Sequence, residues 1–259
     1  MMNFHCGQAP FGLSLLNKIK LKRNINVLDI GFGLGFPLVE VAMRLGDSSK
    51  VYGIDPWKAA IKRTQEKIQQ CGISNIELIE GVAENIPLKD ASVDLVISNN
   101  GINNVADLQQ TLNECGRVAK SGAQFVLTVN LQETMIEFYE IYKQVLVVNN
   151  LEIYVEEVDK QIYHKRKPLN ELKERLEQSG FSILSAKEDE FSYQFVDGKA
   201  MFNHFLISLA FLDSWKNVLP IDKQKHIFNE IEKKIDKLAS ENGVFSLSVP
   251  YVTVDCIKI

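Results

Sequence analysis

The sequence predicts an α/β fold: a doubly wound, mostly parallel sheet of seven strands with a helical insertion or cap late in the chain. Three observations carry that expectation. Through the first half, short apolar runs of strand character alternate with stretches of 3.6-residue periodicity, the pattern of βαβ units with right-handed crossovers. The first run, Val27-Leu28-Asp29-Ile30, leads directly into Gly31-Phe32-Gly33-Leu34-Gly35 and then a helical stretch. The second run, Val51-Tyr52-Gly53-Ile54, ends in the acid Asp55.

Taken in order, a helix over Phe11–Lys22 places Leu13, Leu16 and Ile19 on one side. Val27–Ile30 is nearly all apolar, as a strand covered on both faces should be. After the glycines, Leu38, Val41, Ala42 and Leu45 form one helical stripe, closed by Gly46. Strand 2 spans Lys50–Ile54; Asp55 can cap the next helix and Pro56 suits its first position. That helix buries Trp57, Ala60 or Ile61, Thr64 and Ile68. Strand 3 is Ile76–Ile79, strand 4 Val93–Ile97 and strand 5 Ala123–Val129, with a helix over 105–119 carrying Val105, Leu108, Leu112, Cys115 and Ala119 inward. A helical stretch follows at about 131–148, then a charged strand-like piece, Ile153–Tyr163, a helix over Pro168–Gln178, and strand 6 at Phe181–Ala186.

The C-terminal third departs from the alternation. Met201–Leu212 is apolar around most of a helical circumference, so a helix there must be buried on several sides. Residues 222–240 form an amphipathic helix with Ile227, Ile231, Ile235 and Leu238 inward. Strand 7 is expected at the end of the chain; the competing placement is Phe191–Val196. The organisation is one domain over 1–259: an N-terminal segment 1–25, a ligand-binding core 26–189, a helical insertion or cap 190–244, and a terminal strand 245–259.

Composition narrows the class. Hydrophobic residues make up 46% of the 259, enough for a sizeable core, and the net charge of −4 gives no reason to expect nucleic acid as a partner. The basic clusters Lys18-Lys20-Lys22-Arg23 and His164-Lys165-Arg166-Lys167 read as solvated turns. The four cysteines are scattered, without a metal or disulfide spacing, which fits a reducing cytoplasm. No signal peptide is apparent and no apolar run is long enough for a membrane span, so a cytoplasmic protein with no membrane partner is expected.

The first βα turn carries the chemistry. Its glycines permit positive φ and close approach of a ligand, and the following helix, starting near Gly35, presents free N–H groups. Asp29 and Asp55 stand at the carboxyl ends of strands 1 and 2, where α/β sheets bind ligands. An ionised carboxylate at Asp55 offers acceptors to both hydroxyls of a ribose. A dinucleotide fingerprint, G-x-G-x-x-G, needs its third glycine at Phe36; here the spacing is G-x-G-x-G. A nicotinamide oxidoreductase therefore ranks behind other nucleotide-binding readings.

With Asp29 two residues before the first glycine, this turn resembles motif I of class I S-adenosylmethionine-dependent methyltransferases, in particular the type-11, UbiE-like group. Glu80-Gly81-Val82-Ala83-Glu84-Asn85-Ile86-Pro87-Leu88, Ser92-Val93-Asp94-Leu95-Val96-Ile97-Ser98-Asn99 and Arg117-Val118-Ala119-Lys120-Ser121-Gly122-Ala123 are similar to three further segments of that group, in order, over roughly residues 25–130. The resemblance implies a Rossmann-like methyltransferase fold with S-adenosylmethionine as cofactor. By it, Asp29 and the turn Gly31, Gly33 and Gly35 hold the methionine end, and Asp55 the ribose. Pro56 and Trp57 lie near the adenine, Val82 and Ala83 contact its edge, and Ser98 and Asn99 reach the methionine moiety by backbone. The family usually has Asp where this chain has Val82, which leaves the adenine amino group to backbone and packing.

The implied activity is methyl transfer to a small organic acceptor, with no metal. A non-catalytic S-adenosylmethionine-binding or scaffold protein is the alternative, motivated by Val82 and by the lack of an evident base. His204 is the candidate base, against the reading of a structural histidine in an apolar helix. The remaining pocket candidates are His5, Asn100, Asn103 and Tyr193. Trp57 reads equally as core or as ligand wall. The aromatics of 190–244, among them Phe191, Phe195 and Trp215, suit either an apolar acceptor pocket or a packing contact.

Overall fold

The computed structural model describes residues 9–259. In chain order the elements are α1 (Ala9–Lys18), β1 (Asn26–Ile30), α2 (Leu38–Leu45), β2 (Lys50–Asp55), α3 (Lys58–Gln70), β3 (Ile76–Glu80), β4 (Val93–Asn99), α4 (Leu108–Val118), β5 (Ala119–Asn130), α5 (Ile136–Val148), α6 (Val155–Lys165), α7 (Leu169–Gln178), β6 (Phe181–Phe195), α8 (Gly198–Asn203), α9 (Phe205–Ala210), α10 (Leu212–Lys216), α11 (Ile221–Asn242) and β7 (Phe245–Lys258). The seven strands form one sheet in the order β3-β2-β1-β4-β5-β7-β6. β1 to β5 pair in parallel and β7 joins β5 antiparallel. The order reverses between β1 and β4, so the carboxyl ends of those strands flank a topological switch point.

Where a single domain with one late insertion was expected, the chain divides into two compact units. The first takes residues through Asn130, then Leu169–Asp189 and Tyr251–Ile259; the second takes Leu131–Pro168 and Glu190–Pro250. The helical insertion 190–244 therefore packs with 131–168, a stretch assigned by sequence to the ligand-binding core.

The first unit follows the apolar pattern closely. On one face of the sheet Val27, Val51, Leu95, Ile97 and Val126 are buried with Leu15 and Leu16 of α1 and Leu38, Val41 and Ala42 of α2. Gly53 makes room there: a Cβ at that position would stand 2.7 Å from the Phe32 ring and 2.9 Å from Leu38. Strand 7 is the terminal strand, and Phe191–Val196 is not a separate one, because β6 runs unbroken to Phe195.

The second unit is a helical core with an aromatic centre. Phe138 stacks on Trp215 with ring centroids 3.8 Å apart, and both are fully buried. Trp215 Nε1 donates to the Tyr139 hydroxyl at 3.0 Å, and Tyr139 donates to Gln161 Oε1 at 3.0 Å. From α11, Ile227, Ile231 and Ile235 point into this core as their spacing predicts.

Three local expectations are corrected. Ile153–Tyr163 reads as a strand because of its branched residues, yet the chain forms α6. Val155, Val158 and Ile162 recur at helical spacing, with Glu156 and Glu157 in the first turn and His164 and Lys165 in the last, where they suit the helix dipole. Met201–Leu212 is not one helix buried all round. Extended backbone at His204 (φ −62°, ψ 132°) splits it, and Phe205 and Leu209 end 62% and 58% exposed. Trp57 is not in the core of α3; it occupies the N-cap position and is 48% exposed.

Candidate functional site

The candidate site is built in the first unit at the carboxyl ends of β1, β2 and β4. Parallel register aligns Asp29 with Gly53 on one side and with Ile97 on the other. Because side chains alternate along a strand, Asp55 and Asn99, two residues further on, share the face of Asp29.

The glycine turn between β1 and α2 is held from beneath. Gly31, Gly33 and Gly35 all have positive φ, 71°, 51° and 92°. The Gly33 N–H donates to Asp55 Oδ2 at 2.9 Å, Thr64 Oγ1 donates to the Gly33 carbonyl at 3.1 Å, and Lys67 Nζ donates to the Leu34 carbonyl. A second loop, following β4, lies directly against this turn. A Cβ on Gly31 would fall 2.7 Å from Gly101 Cα, and one on Gly101 would fall 1.9 Å from the Ile30 carbonyl oxygen. Ser98 clamps the same two loops: its Oγ donates to the Ile30 carbonyl at 3.1 Å and accepts the Ile102 N–H at 3.1 Å. The helix expected near Gly35 begins at Leu38, so residues 34–37 extend the turn and Leu38 opens the helical N–H groups.

Asp29 is the unusual group. It is wholly buried, and apart from the Leu38 N–H at the start of α2 neither carboxylate oxygen has a hydrogen-bond partner. Burial first, and the charge of Asp55 second, push its carboxyl well above the usual carboxylate range, opposed by the Leu38 backbone. On the adjacent strand Asn99 is also buried. Thr128 Oγ1 donates to its Oδ1 at 3.0 Å, which leaves Asn99 Nδ2 as a buried donor without an acceptor. A buried polar group without a partner costs stability. An acceptor at Asp29 and a donor at Asn99, on adjacent strands and the same face of the sheet, suit the ammonium and carboxylate of an α-amino acid.

Asp55 is nearly buried and already occupied in part. Besides Gly33, it accepts the Trp57 N–H at Oδ1 over 2.8 Å. Each oxygen keeps a second lone pair, so the acid can brace the turn and still accept from a ligand diol. Pro56 follows it and is exposed. Val82 is 48% exposed and Ala83 is buried, in a segment pinned by other residues. Glu84 accepts the N–H groups of Ala106 and Asp107 at 2.7 and 3.1 Å. Arg117 donates to the carbonyls of Ile86 and Leu88 and pairs with Glu114 and Asp90.

Of the pocket candidates, Asn100 has left-handed backbone (φ 59°) and its Oδ1 accepts from Asn103 Nδ2 at 3.2 Å, in the turn Gly101–Asn104. Tyr193 and His204 belong to the second unit, where their rings stand 5.8 Å apart and Phe195 lies 5.4 Å from His204. His5 lies outside the described residues. Sequence reading missed Thr64, Lys67, Gly101, Thr128 and the Arg117 brace. Thr64 and Arg117 stood in motifs already singled out, but as packing or resemblance; Gly101 gave a signal only as a glycine after a strand end. Among the described residues no group of three or more His, Cys, Asp or Glu side chains could hold a metal ion, and no helix is long and apolar enough to cross a membrane.

Comparison with known proteins bears on the family and the fold. The family described as "Methyltransferase domain" matches residues 21–255. A demethylmenaquinone methyltransferase of Geobacillus sp. (strain WCH70) is 31% identical over 127 residues, which are 49% of this chain and 54% of that protein. The chain thus spans about half the length of the curated relatives it matches. Among solved structures, the YcgJ protein of Bacillus subtilis superposes with a TM-score of 0.59 at 18% identity, covering 98% of this chain and 99% of the other. A geranyl diphosphate C-methyltransferase from Streptomyces coelicolor A3(2) gives a TM-score of 0.59 at 13% identity, covering 98% and 82%. These two likenesses concern the fold.

Proposed function

Because the chain belongs to the methyltransferase-domain family, we propose that it is an S-adenosylmethionine-dependent enzyme that methylates a small organic acceptor. The observation that carries the reading is the buried carboxylate of Asp29, which no side chain meets, with the unpartnered Asn99 amide on the adjacent strand, at the mouth of a braced glycine turn. When bound, S-adenosylmethionine supplies a methyl group on a sulfonium sulfur, open to in-line displacement.

The residues divide that work among them. Asp29 accepts from the methionine ammonium and Asn99 Nδ2 donates to its carboxylate, each gaining the partner it lacks. The turn from Gly31 to Gly35 lets the backbone approach, and Asp55 accepts from the ribose hydroxyls while it fixes the Gly33 N–H. Pro56, Trp57, Val82 and Ala83 border the adenine, and Ser98 sets the backbone of the β4 loop. Asn100 and Asn103 face the acceptor; their amides can orient a hydroxyl or an amine but cannot remove its proton at neutral pH. Positioning is then the main source of rate, since an aligned donor and acceptor turn a bimolecular displacement into an effectively unimolecular one.

The match to demethylmenaquinone methyltransferases spans half of their length and does not extend their quinone substrate to this chain. Titration calorimetry with S-adenosylmethionine, S-adenosylhomocysteine and NAD tests the reading. The first two should bind and NAD should not; tight NAD binding with no heat from the sulfonium ligand overturns it. Release of S-adenosylhomocysteine over a panel of small hydroxyl, amine and carbon acceptors then reads turnover.

A further inference from the structure

The second unit holds a buried guanidinium that the described chain does not neutralise. Arg166 closes α6, its N–H donating to the Ile162 carbonyl at 2.9 Å, and the residue is 5% exposed. Its Cζ lies 5.9 Å from the centre of the Tyr139 ring and 5.8 Å from that of Phe211. Nη1 is buried without a hydrogen-bond partner, and among the described residues no carboxylate pairs with the side chain. The Tyr139 hydroxyl is engaged elsewhere: it accepts from Trp215 and donates to Gln161, whose Nε2 in turn donates to Ser214 Oγ at 2.8 Å. Tyr139 therefore offers Arg166 the face of a ring and not an oxygen.

Ring contacts recover only part of what an unpaired ion loses on leaving water. A chain that needed Arg166 for packing alone would do as well with methionine or leucine. We propose that Arg166 is the recognition residue of a ligand site in the second unit, and that the ligand is a monoanionic carboxylate on an apolar body. The planar guanidinium fork matches a carboxylate with two parallel hydrogen bonds. Arg166 is the one cation stacked on either ring among the described residues, so a single negative charge balances it. The walls, Tyr139 and Phe211, are aromatic and suit the apolar part of the ligand. Phe211 is the movable wall: it is only partly buried and stands at the break between α9 and α10. Its ring can turn aside without unwinding a long helix.

The proposal stands apart from the methyl-transfer reading, and the test keeps them separate. The full chain and its R166K and R166M variants are titrated with sodium acetate, benzoate and octanoate, with chloride and inorganic phosphate at equal ionic strength as controls. Melting curves and calorimetry are recorded, and S-adenosylhomocysteine binding is measured on the same samples. At least one carboxylate should bind the wild type saturably, at least tenfold more weakly in R166K and undetectably in R166M. Without ligand, R166M should melt at or above the wild type, because the uncompensated charge is gone, and should bind S-adenosylhomocysteine as the wild type does. No saturable carboxylate binding to the wild type, equal binding to R166M, or binding of phosphate in place of carboxylate overturns the proposal. If R166M fails to fold, R166K decides: unchanged carboxylate affinity there overturns it as well. Failure of the wild type to bind S-adenosylhomocysteine counts against methyl transfer and leaves the carboxylate site standing.

Discussion

Replacing Asp29 with Asn should make the ligand-free protein more stable while it weakens cofactor binding. The folded chain holds the Asp29 carboxyl above its unfolded value, through burial first and the charge of Asp55 second. Between the two values the folded state keeps a proton that the unfolded state has released. Stability therefore falls as pH rises through that window, and above it the full cost is present. D29N abolishes this titration and removes the buried charge. An unmet buried polar group costs about 1–3 kcal/mol, more when it is charged, so a gain of about 2 kcal/mol is expected above that window, where the wild-type carboxylate is ionised. For a chain of this size that is roughly 4–8 °C in Tm. The same change replaces a charge-assisted bond to the ligand ammonium by a neutral one. A loss of about 2–3 kcal/mol, or about 30- to 150-fold in Kd for S-adenosylmethionine, follows. Melting curves from about pH 4 to 8, with and without S-adenosylmethionine, read both effects. The variant's advantage should shrink toward acid pH, and the cofactor should release a proton on binding the wild type. A D29N protein that melts below the wild type and binds S-adenosylmethionine equally well would refute the role given to Asp29.

Other perturbations test the remaining parts. D55A removes acceptors from the Gly33 and Trp57 N–H groups, so it should cost about 1–3 kcal/mol of stability in addition to most cofactor affinity; calorimetry beside melting curves separates the two. G101A forces a methyl group against the Ile30 carbonyl, and should cost about 1–3 kcal/mol and disturb the turn enough to lower cofactor affinity, whereas an unchanged Kd would mean the two loops adjust freely. F138A removes the ring stacked on Trp215 and should cost about 3–5 kcal/mol, with loss of near-ultraviolet dichroism from the buried tryptophan. Burial pushes the thiols of Cys115 and Cys256 up to about 12, while Cys71 is exposed. Iodoacetamide near pH 8 should therefore modify Cys71 and spare the other two, as read by peptide mass spectrometry.

The cofactor half of the fold was legible because β1, β2 and β4 are short, largely buried runs, each with a helix of clear period next in the chain. The glycines and Asp55 announced a turn and an acid, and β1 and β2 place them together. What escaped was whatever depends on through-space fit. Thr64 lies 31 residues from the Gly33 carbonyl it binds, and Gly101 matters for the backbone it abuts and not for its neighbours in sequence. Asp55 reads in sequence both as a ligand acid and as a helix cap; the structure puts Trp57 at the N-cap and gives Asp55 a different structural share, the N–H groups of Gly33 and Trp57. In the second unit the reading failed where composition and period disagreed. Ile153–Tyr163 has the branched residues of a strand on a helical repeat, and the repeat decided it. Met201–Leu212 is apolar enough for one buried helix, but the extended residue at His204 breaks it and turns part of it to solvent.

The second unit is assembled from two separated stretches, and this has a consequence for synthesis. Phe138, Tyr142 and Val145 on α5 are covered by Trp215, by Ile227 to Ile235 on α11 and by the start of β7. None of those partners exists while α5 is leaving the ribosome. At roughly 5–20 residues per second, the stretch from the end of α5 to the start of β7 takes on the order of 5–20 s to make. During that interval a full aromatic face waits without its cover. Slowing translation over residues 150–240 would lengthen the exposure without changing a single native contact, and the yield of folded protein would register it.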